Sequence, residues 1–490
     1  MTDAAIDRSA PVEGEGHGLL RVMGPKLLLL FIVGDILGTG VYALTGQVAG
    51  EVGGAAWAPF LLAFAVATVT AFSYLELVTR YPQAAGAALY THRAFGLHFL
   101  TFLVAFTVMC SGITSASTAS NAFAGFVSDG FRLGFDAGSS GRLLLALGFM
   151  ALVALINFRG VGESVKANVV LTLVELSGLL MIILVGFWAM SQGRADFSEV
   201  MIFRSTEEKS AFMALTAATS LAFFAMVGFE DSVNMAEEVK DPVRIFPKIM
   251  LTGLGITGLI YVLVSICAVA LVPVGDLIDT SKGSALTQVV RAGAPGLPFD
   301  RIFPFIGMFA VANSALINML MASRLLYGLA NQGVLPHVLG HVHPTRRTPW
   351  VSILFTTAIA FGLIYFVVTN SQAQAIALLG GTTALLLLCV FTVVNIALIV
   401  LRRRPPVGHE HFRSPTILPW IGALTCAYLA GPWARSAAQM PQYRIAAWLL
   451  AIGVLLWAVT WAWNRAVRHR PTTLRHPEDL AEHPGDAPTN

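Results

Sequence analysis

Hydrophobic residues fall in long runs along this chain, separated by shorter stretches that gather the charged and turn-forming residues. A helix rises about 1.5 Å per residue, so about 20 apolar residues cross a hydrocarbon layer, where the backbone must satisfy its own hydrogen bonds. Runs of that length predict about twelve spans: 26–49, 55–79, 97–127, 142–158, 167–190, 210–235, 249–273, 302–330, 350–369, 373–400, 416–436 and 445–464. The expected architecture is an all-α integral membrane protein.

Two runs contain positions that a continuous helix avoids. The first carries Gly34-Asp35-Ile36-Leu37-Gly38-Thr39-Gly40, three glycines and an aspartate at mid-membrane depth. The sixth carries Phe224-Ala225-Met226-Val227-Gly228-Phe229-Glu230-Asp231, a glycine beside two acids. Runs one and six correspond if the first ten form two halves of five, and paired interruptions point to the binding site of an inverted-repeat transporter. The expected organisation is a transport core over 26–400, two further helices in 401–469, and polar, disordered tails at 1–25 and 470–490.

Composition agrees with lipid as the solvent. Hydrophobic residues make up 56% and charged residues 12%, against about 25% charged in a typical soluble domain. The net charge of +3 and the absence of a basic, aromatic-studded face exclude a nucleic-acid partner. With both termini cytoplasmic, about 21 of the 31 Lys and Arg face inward, Lys240, Arg244, Lys248, Arg346, Arg347 and Arg402 to Arg404 among them. That bias supports the assignment of both termini to the cytoplasm, and the expected location is a plasma (inner) membrane of bacterial type. The first run follows Arg21 and Lys26 without a small-residue cleavage site, so it reads as a retained helix. Cys110, Cys267, Cys389 and Cys426 all lie in apolar runs without metal-ligand spacing.

A broken helix exposes unpaired N–H groups at the start of one half and unpaired carbonyls at the end of the other. That suits a zwitterion, its carboxylate on the N–H groups around Thr39 and Gly40 and its ammonium on carbonyls of runs one and six. The competing reading makes Gly38 and Gly40 a small-residue helix contact. Run three is rich in Ser111, Thr114, Ser115, Ser117, Thr118, Ser120 and Asn121, which either line a wet path or bond back to helical carbonyls. Asn313 and Asn318 in run eight carry the same two readings. Ser111, Thr114, Ser115, Asn313 and Asp35 are the candidates for side-chain selectivity. Acids at membrane depth mark pathways or proton relays, which singles out Asp35, Glu175, Glu230 and Asp231. Glu76, near a helix end, is expected to pair with a basic loop residue.

Several stretches resemble the amino acid-polyamine-organocation permease superfamily, in that family's order. They are GDILGTGVYALTG in run one, YPQAAGAALYTHRAFG after run two, FFAMVGFEDSVNMAEEVKDPVRIFPK in run six and ANSALINMLMASRLLYGLANQGVLPHVLGHVHPTRRTPW in run eight. The resemblance covers about the first 400 residues; Ala85 stands where a glycine is usual. It implies a LeuT-type fold of five plus five inverted helices with broken helices one and six, and alternating access. Carried over by position, Ile36, Thr39 and Gly40 with Gly38 meet the amino and carboxylate groups. Phe224, Ala225 and Val227 supply carbonyls, Phe224 doubles as an aromatic lid, and Gly228 lets the helix unwind. Asp35 departs from the family's small or amide residue, and either favours basic side chains or pairs silently with a neighbour. Some proton-coupled relatives hold a titratable lysine near the position of Glu175, which makes Glu175 a proton-coupling candidate with Glu230 as its rival.

The resulting expectation is a secondary transporter of an amino acid, coupled to protons as a symporter. An amino acid or polyamine exchanger is the first alternative and a solute channel the second. The chain contains no HExxH, GxSxG or Walker pattern, so neither an enzyme nor a cofactor is expected. The sequence assigns no oligomeric state.

Overall fold

The computed structural model describes residues 23–83, 86–159, 164–204, 210–346, 348–371, 374–405, 408–469 and 471–474. The two expected tails fall almost wholly outside the described residues, as does Ala85. Among the described residues the regular structure is helical, with two isolated bridges between Met23 and Val239 and between Gly53 and Phe203.

The first span consists of α1 (Pro25–Leu37) and α2 (Thr39–Val52). The second is α3 (Trp57–Arg80), followed by a loop helix α4 (Gly86–Phe95), the long α5 (His98–Gly130), α6 (Ser140–Arg159) and α7 (Ser164–Ser191). The sixth span begins with α8 (Ala211–Ala222) and continues in 3₁₀ turns, Phe223–Met226 and Asp231–Glu238. The seventh is α9 (Pro242–Leu271); two short loop helices, α10 (Val274–Ile278) and α11 (Ala285–Gly293), precede α12 (Phe299–Asn331). Next come α13 (Trp350–Ser371), α14 (Ala375–Leu401), α15 (Leu418–Ala430) and α16 (Pro441–Trp463).

Among the described residues, 11 helical segments are long and apolar enough to cross a membrane. They match ten expected runs and the twelfth. Where the sequence predicts the eleventh, over 416–436, α15 has 13 residues and stops before Gly431-Pro432. Pro432 has no N–H to continue the ladder, and proline biases the residue before it away from helix. At about 1.5 Å per residue the helix is about 20 Å long, and the 3₁₀ turn Pro432–Ala434 extends the segment.

Four of the five pairs of spans that a five-plus-five scheme makes equivalent pack closely on one another among the described residues. Counting spans, the third and eighth (α5 and α12), second and seventh (α3 and α9), first and sixth (α2 and α8), and fourth and ninth (α6 and α13) each pack on one another. Two halves related by an axis in the membrane plane bring equivalent helices together in this way. Exposed Leu, Phe and Trp side chains, such as Leu144, Leu184, Trp188, Phe309 and Trp448, form the outer surface. Such a surface is stable only against lipid.

One end of the bundle is tied by charge. Glu76 of α3, 1% exposed, accepts from Arg402 Nε at 2.9 Å and from the Ser414 backbone N–H at 2.9 Å. This is the expected pairing of a helix-end acid with a basic residue. Arg80 donates to the carbonyl of Leu401 and Arg404 to that of Ala94, fastening α3 and α4 to the end of α14.

Candidate functional site

Both interruptions lie where the glycines place them, and each is built differently. In the first span one residue, Gly38, leaves the helix with φ −38° and ψ −135°, and α2 resumes at Thr39. No side chain of its own strand of sequence caps α2. The N–H of Thr39 is instead taken by the Ser314 hydroxyl of α12 at 3.1 Å. The last carbonyls of α1 are held from another direction: the Tyr261 hydroxyl of α9 donates to the carbonyl of Ile36.

In the sixth span the helix tightens to 3₁₀ at Phe223–Met226, Val227 is extended, and Gly228 has φ +127°. That conformation is open to glycine and strained for other residues. A Cβ on Gly228 would also sit 2.8 Å from the carbonyl carbon of Asp35, so the two breaks touch through their backbones. Glu230 folds back so that its Oε2 accepts the Gly228 N–H at 2.9 Å. Phe223 before the break and Phe229 after it both pack on Phe391 of α14, with ring centroids 5.9 and 5.4 Å apart, and Tyr74 of α3 completes the aromatic group.

Between the breaks lies a cavity with about 320 Å³ of empty space. The first span contributes Asp35, Ile36, Thr39 and Gly40; the sixth contributes Phe224, Val227, Gly228 and Asp231. Ser115 of α5 and Ser314 and Asn318 of α12 close its remaining walls. A vestibule of about 1120 Å³ adjoins it, sharing Val227, Asp231 and Asn318 and reaching Ala87 and Ala88 of α4. The path from the breaks therefore widens toward the end of the bundle that holds α4. Across the site, Phe224 packs against Gly380 of α14 beside Leu44, in the position of a cover.

Six of the eight expected backbone contacts line the cavity: Ile36, Thr39, Gly40, Phe224, Val227 and Gly228. Gly38 and Ala225 do not. A Cβ on Gly38 would meet the Ser314 Oγ at 2.0 Å, and Ala225 lies under Gly40, whose own Cβ would come within 2.3 Å of the Ala225 Cα. Gly40 is thus a cavity residue and a close helix contact at once. Of the selectivity candidates, Asp35 and Ser115 reach the cavity and Ser111 the vestibule. Thr114 shares a hydrogen bond with Thr383 of α14 at 2.7 Å, and Asn313 faces Glu175.

The rest of the hydroxyl-rich third span mostly serves the bundle. Ser117, Thr118 and Asn121 donate to carbonyls four residues earlier, and Ser120 to Ala146 of α6. Glu175, 0% exposed, lies off the cavity, while its backbone carbonyl accepts the Tyr42 hydroxyl at 2.6 Å. Ser314 and Tyr261 were not singled out from sequence. The first stands beside Asn313 in a polar pair on an apolar helix, which is a readable signal; the second is one tyrosine in an apolar run and gives none.

A family model described as amino acid permease matches residues 25–460. The methylthioribose transporter of Bacillus subtilis (strain 168) is 27% identical over 87% of this chain and 92% of that protein. The branched-chain amino acid permease BcaP of the same organism is 24% identical over 86% and 90%. The chloroplastic cationic amino acid transporter 9 of Arabidopsis thaliana is 30% identical over 67% of this chain, which spans 58% of that protein.

Proposed function

The chain belongs to the amino acid permease family, an integral membrane family of transporters rather than enzymes, and from that premise we propose that it carries an amino acid by alternating access with a proton as coupling ion. The observation that carries the reading is the meeting of both breaks in one cavity. Helix starts offer N–H groups to a carboxylate and helix ends offer carbonyls to an ammonium. In this role Gly40 and the adjoining amides of α2 receive the carboxylate, since the Thr39 N–H is already held by Ser314. The carbonyls of the Phe224–Val227 turn and the second lone pair of the Ile36 carbonyl receive the ammonium. Phe224 covers the substrate, and Gly228 and Gly38 keep both helices open.

In the proposed organisation residues 26–400 form the transport core and 401–469 support it. With both termini in the cytoplasm, as this reading has them, the vestibule opens to the cytoplasmic side, at the end of the bundle that holds α4 and the arginines Arg80, Arg93 and Arg402 to Arg404. Proton symport is favoured by buried acids near the first break, Glu175 foremost, because a group that gains or loses one charge beside a broken helix alters which state is stable. An exchanger would use the same site without net proton movement.

One relative supports a second reading. A methylthioribose transporter matches nearly the whole length, and a thio sugar has neither ammonium nor carboxylate. The test uses purified chain in liposomes and counterflow of labelled amino acids, challenged with free amino acids, their methyl esters, their N-acetyl forms and methylthioribose. Competition by free amino acids that esterification or acetylation abolishes supports the proposal. Competition by methylthioribose alone overturns it.

A further inference from the structure

Three acids stand at the two breaks, and they are not equivalent: Asp35 and Asp231 line the cavity, whereas Glu230 lines only the vestibule. Glu230 is committed to the backbone through the Gly228 N–H. Asp35 and Asp231 both line the cavity, one from each broken span, and among the described residues no Lys, Arg or His lines it with them. The Oδ2 of Asp35 is buried without a hydrogen-bond partner. Thr39, which is 3% exposed and lines the same cavity, has a buried hydroxyl that is also without a partner. Buried polar groups are almost always satisfied, so an unpaired carboxylate oxygen and an unpaired hydroxyl on one cavity wall indicate a polar partner that arrives with the cargo, a donor in the case of Asp35.

The α-ammonium and α-carboxylate are already provided for by main-chain groups at the breaks, which any amino acid would use. Two further carboxylates in the same space are costly to ionise beside a neutral side chain, because like charges at close range in a dry site repel and no basic side chain shares the cavity wall with them among the described residues. A cationic side chain removes both costs. Glu175 differs from this pair: it is fully buried and lies off the cavity wall, so it does not meet a substrate side chain there.

Resting on the amino acid reading above, we propose that Asp35 and Asp231 form a carboxylate pair that receives a positively charged side-chain group, so that the substrate is a dibasic amino acid. The pair sets specificity, while the backbone at the breaks sets the amino acid frame. Asp231 also lines the vestibule, so the charged end of the substrate meets it on entry and on release.

The test compares isosteric pairs on the full chain in liposomes and in detergent. Arginine and citrulline differ in shape by little but in charge by one; lysine and norleucine differ by the terminal ammonium. Uptake and ligand-induced thermal stabilisation are expected to favour arginine over citrulline and lysine over norleucine by about tenfold or more, the size of effect produced by losing a charge-assisted hydrogen bond. Asp35→Asn and Asp231→Asn should each shrink the arginine-to-citrulline ratio by about fivefold or more. Equal or better handling of citrulline and norleucine by the unaltered chain overturns the proposal and leaves the amino acid reading standing. A ratio that survives both substitutions overturns it as well. If neither variant inserts, the ratios of the unaltered chain decide. Failure of every amino acid while methylthioribose binds overturns this proposal together with the reading beneath it.

Discussion

The two breaks solve one problem, a helix that must stop in mid-membrane, by opposite means. The sixth span holds its own break: the Gly228 N–H goes to Glu230 two residues on, and the flanking Phe223 and Phe229 clamp it on Phe391. The first span delegates its break to other helices, with the Thr39 N–H on Ser314 of α12 and the Ile36 carbonyl on Tyr261 of α9. The backbone hydrogen bond of a break satisfied from within does not depend on where its neighbours stand. One satisfied from α9 and α12 changes its hydrogen bonding whenever those helices move. The comparison assigns sensing of the bundle to the first span and a stiff floor to the sixth.

The largest effect should come from the stiff element. Gly228→Ala imposes a side chain on a φ of +127° and places a Cβ 2.8 Å from the Asp35 backbone. Backbone strain of this kind costs about 1–3 kcal/mol, and the overlap forces the two breaks apart. Strain of about 1–3 kcal/mol in the transport-competent state corresponds to about fivefold to more than a hundredfold, and a loss of uptake in that range is expected in a protein that still inserts. Uptake and thermal stability of the purified variant measure the two parts. Normal uptake would mean that the sixth span tolerates rearrangement and is no floor.

An intermediate effect separates the acids. In Glu230→Gln the amide oxygen still accepts the Gly228 N–H, so the break keeps its closure and loses only charge. Glu175→Gln removes a buried titratable group beside Asn313 without touching the cavity. We expect Glu175→Gln to lose at least about tenfold in proton-driven accumulation while retaining substrate exchange, and Glu230→Gln to accumulate substrate. Measured in liposomes with and without a pH gradient, the reverse pattern would move coupling from the first span to the sixth.

What was readable in the sequence follows the same division. Long apolar runs are local, and so are the glycines and acids at Gly34 to Gly40 and Val227 to Asp231; both spans and breaks were legible from them. The partners of the first break were not, because Ser314 and Tyr261 lie hundreds of residues away and meet it only through packing. The same holds for Thr114, whose bond to Thr383 joins α5 to α14 and removes it from the expected pocket. Asp231 was noted beside Glu230 but ranked below it, although it is Asp231 that lines both cavity and vestibule. On a 3₁₀ stretch neighbouring side chains point about 120° apart, which spacing alone does not reveal. The short α15 was legible in principle, from Gly431-Pro432 within its apolar run.

The smallest effect tests the delegated break directly. Ser314→Ala leaves the Thr39 N–H without its acceptor, a net loss of about 1 kcal/mol, or about fivefold in substrate affinity if the amide is ordered only in the bound state. The same hydroxyl is what a Cβ on Gly38 would strike, at 2.0 Å, whereas the Ser314 Cβ lies 3.3 Å from that point. Gly38→Ala alone should therefore cost more than Ser314→Ala alone. Gly38→Ala in the Ser314→Ala background should cost less than the sum, since the overlapping atom is gone and one hydrogen bond is lost once rather than twice. Such non-additivity is expected of residues in contact. Binding measured on the two single variants and the double variant gives the coupling. Strict additivity would show that the hydroxyl of α12 does not hold the first break, and the contrast between the two spans would lose its basis.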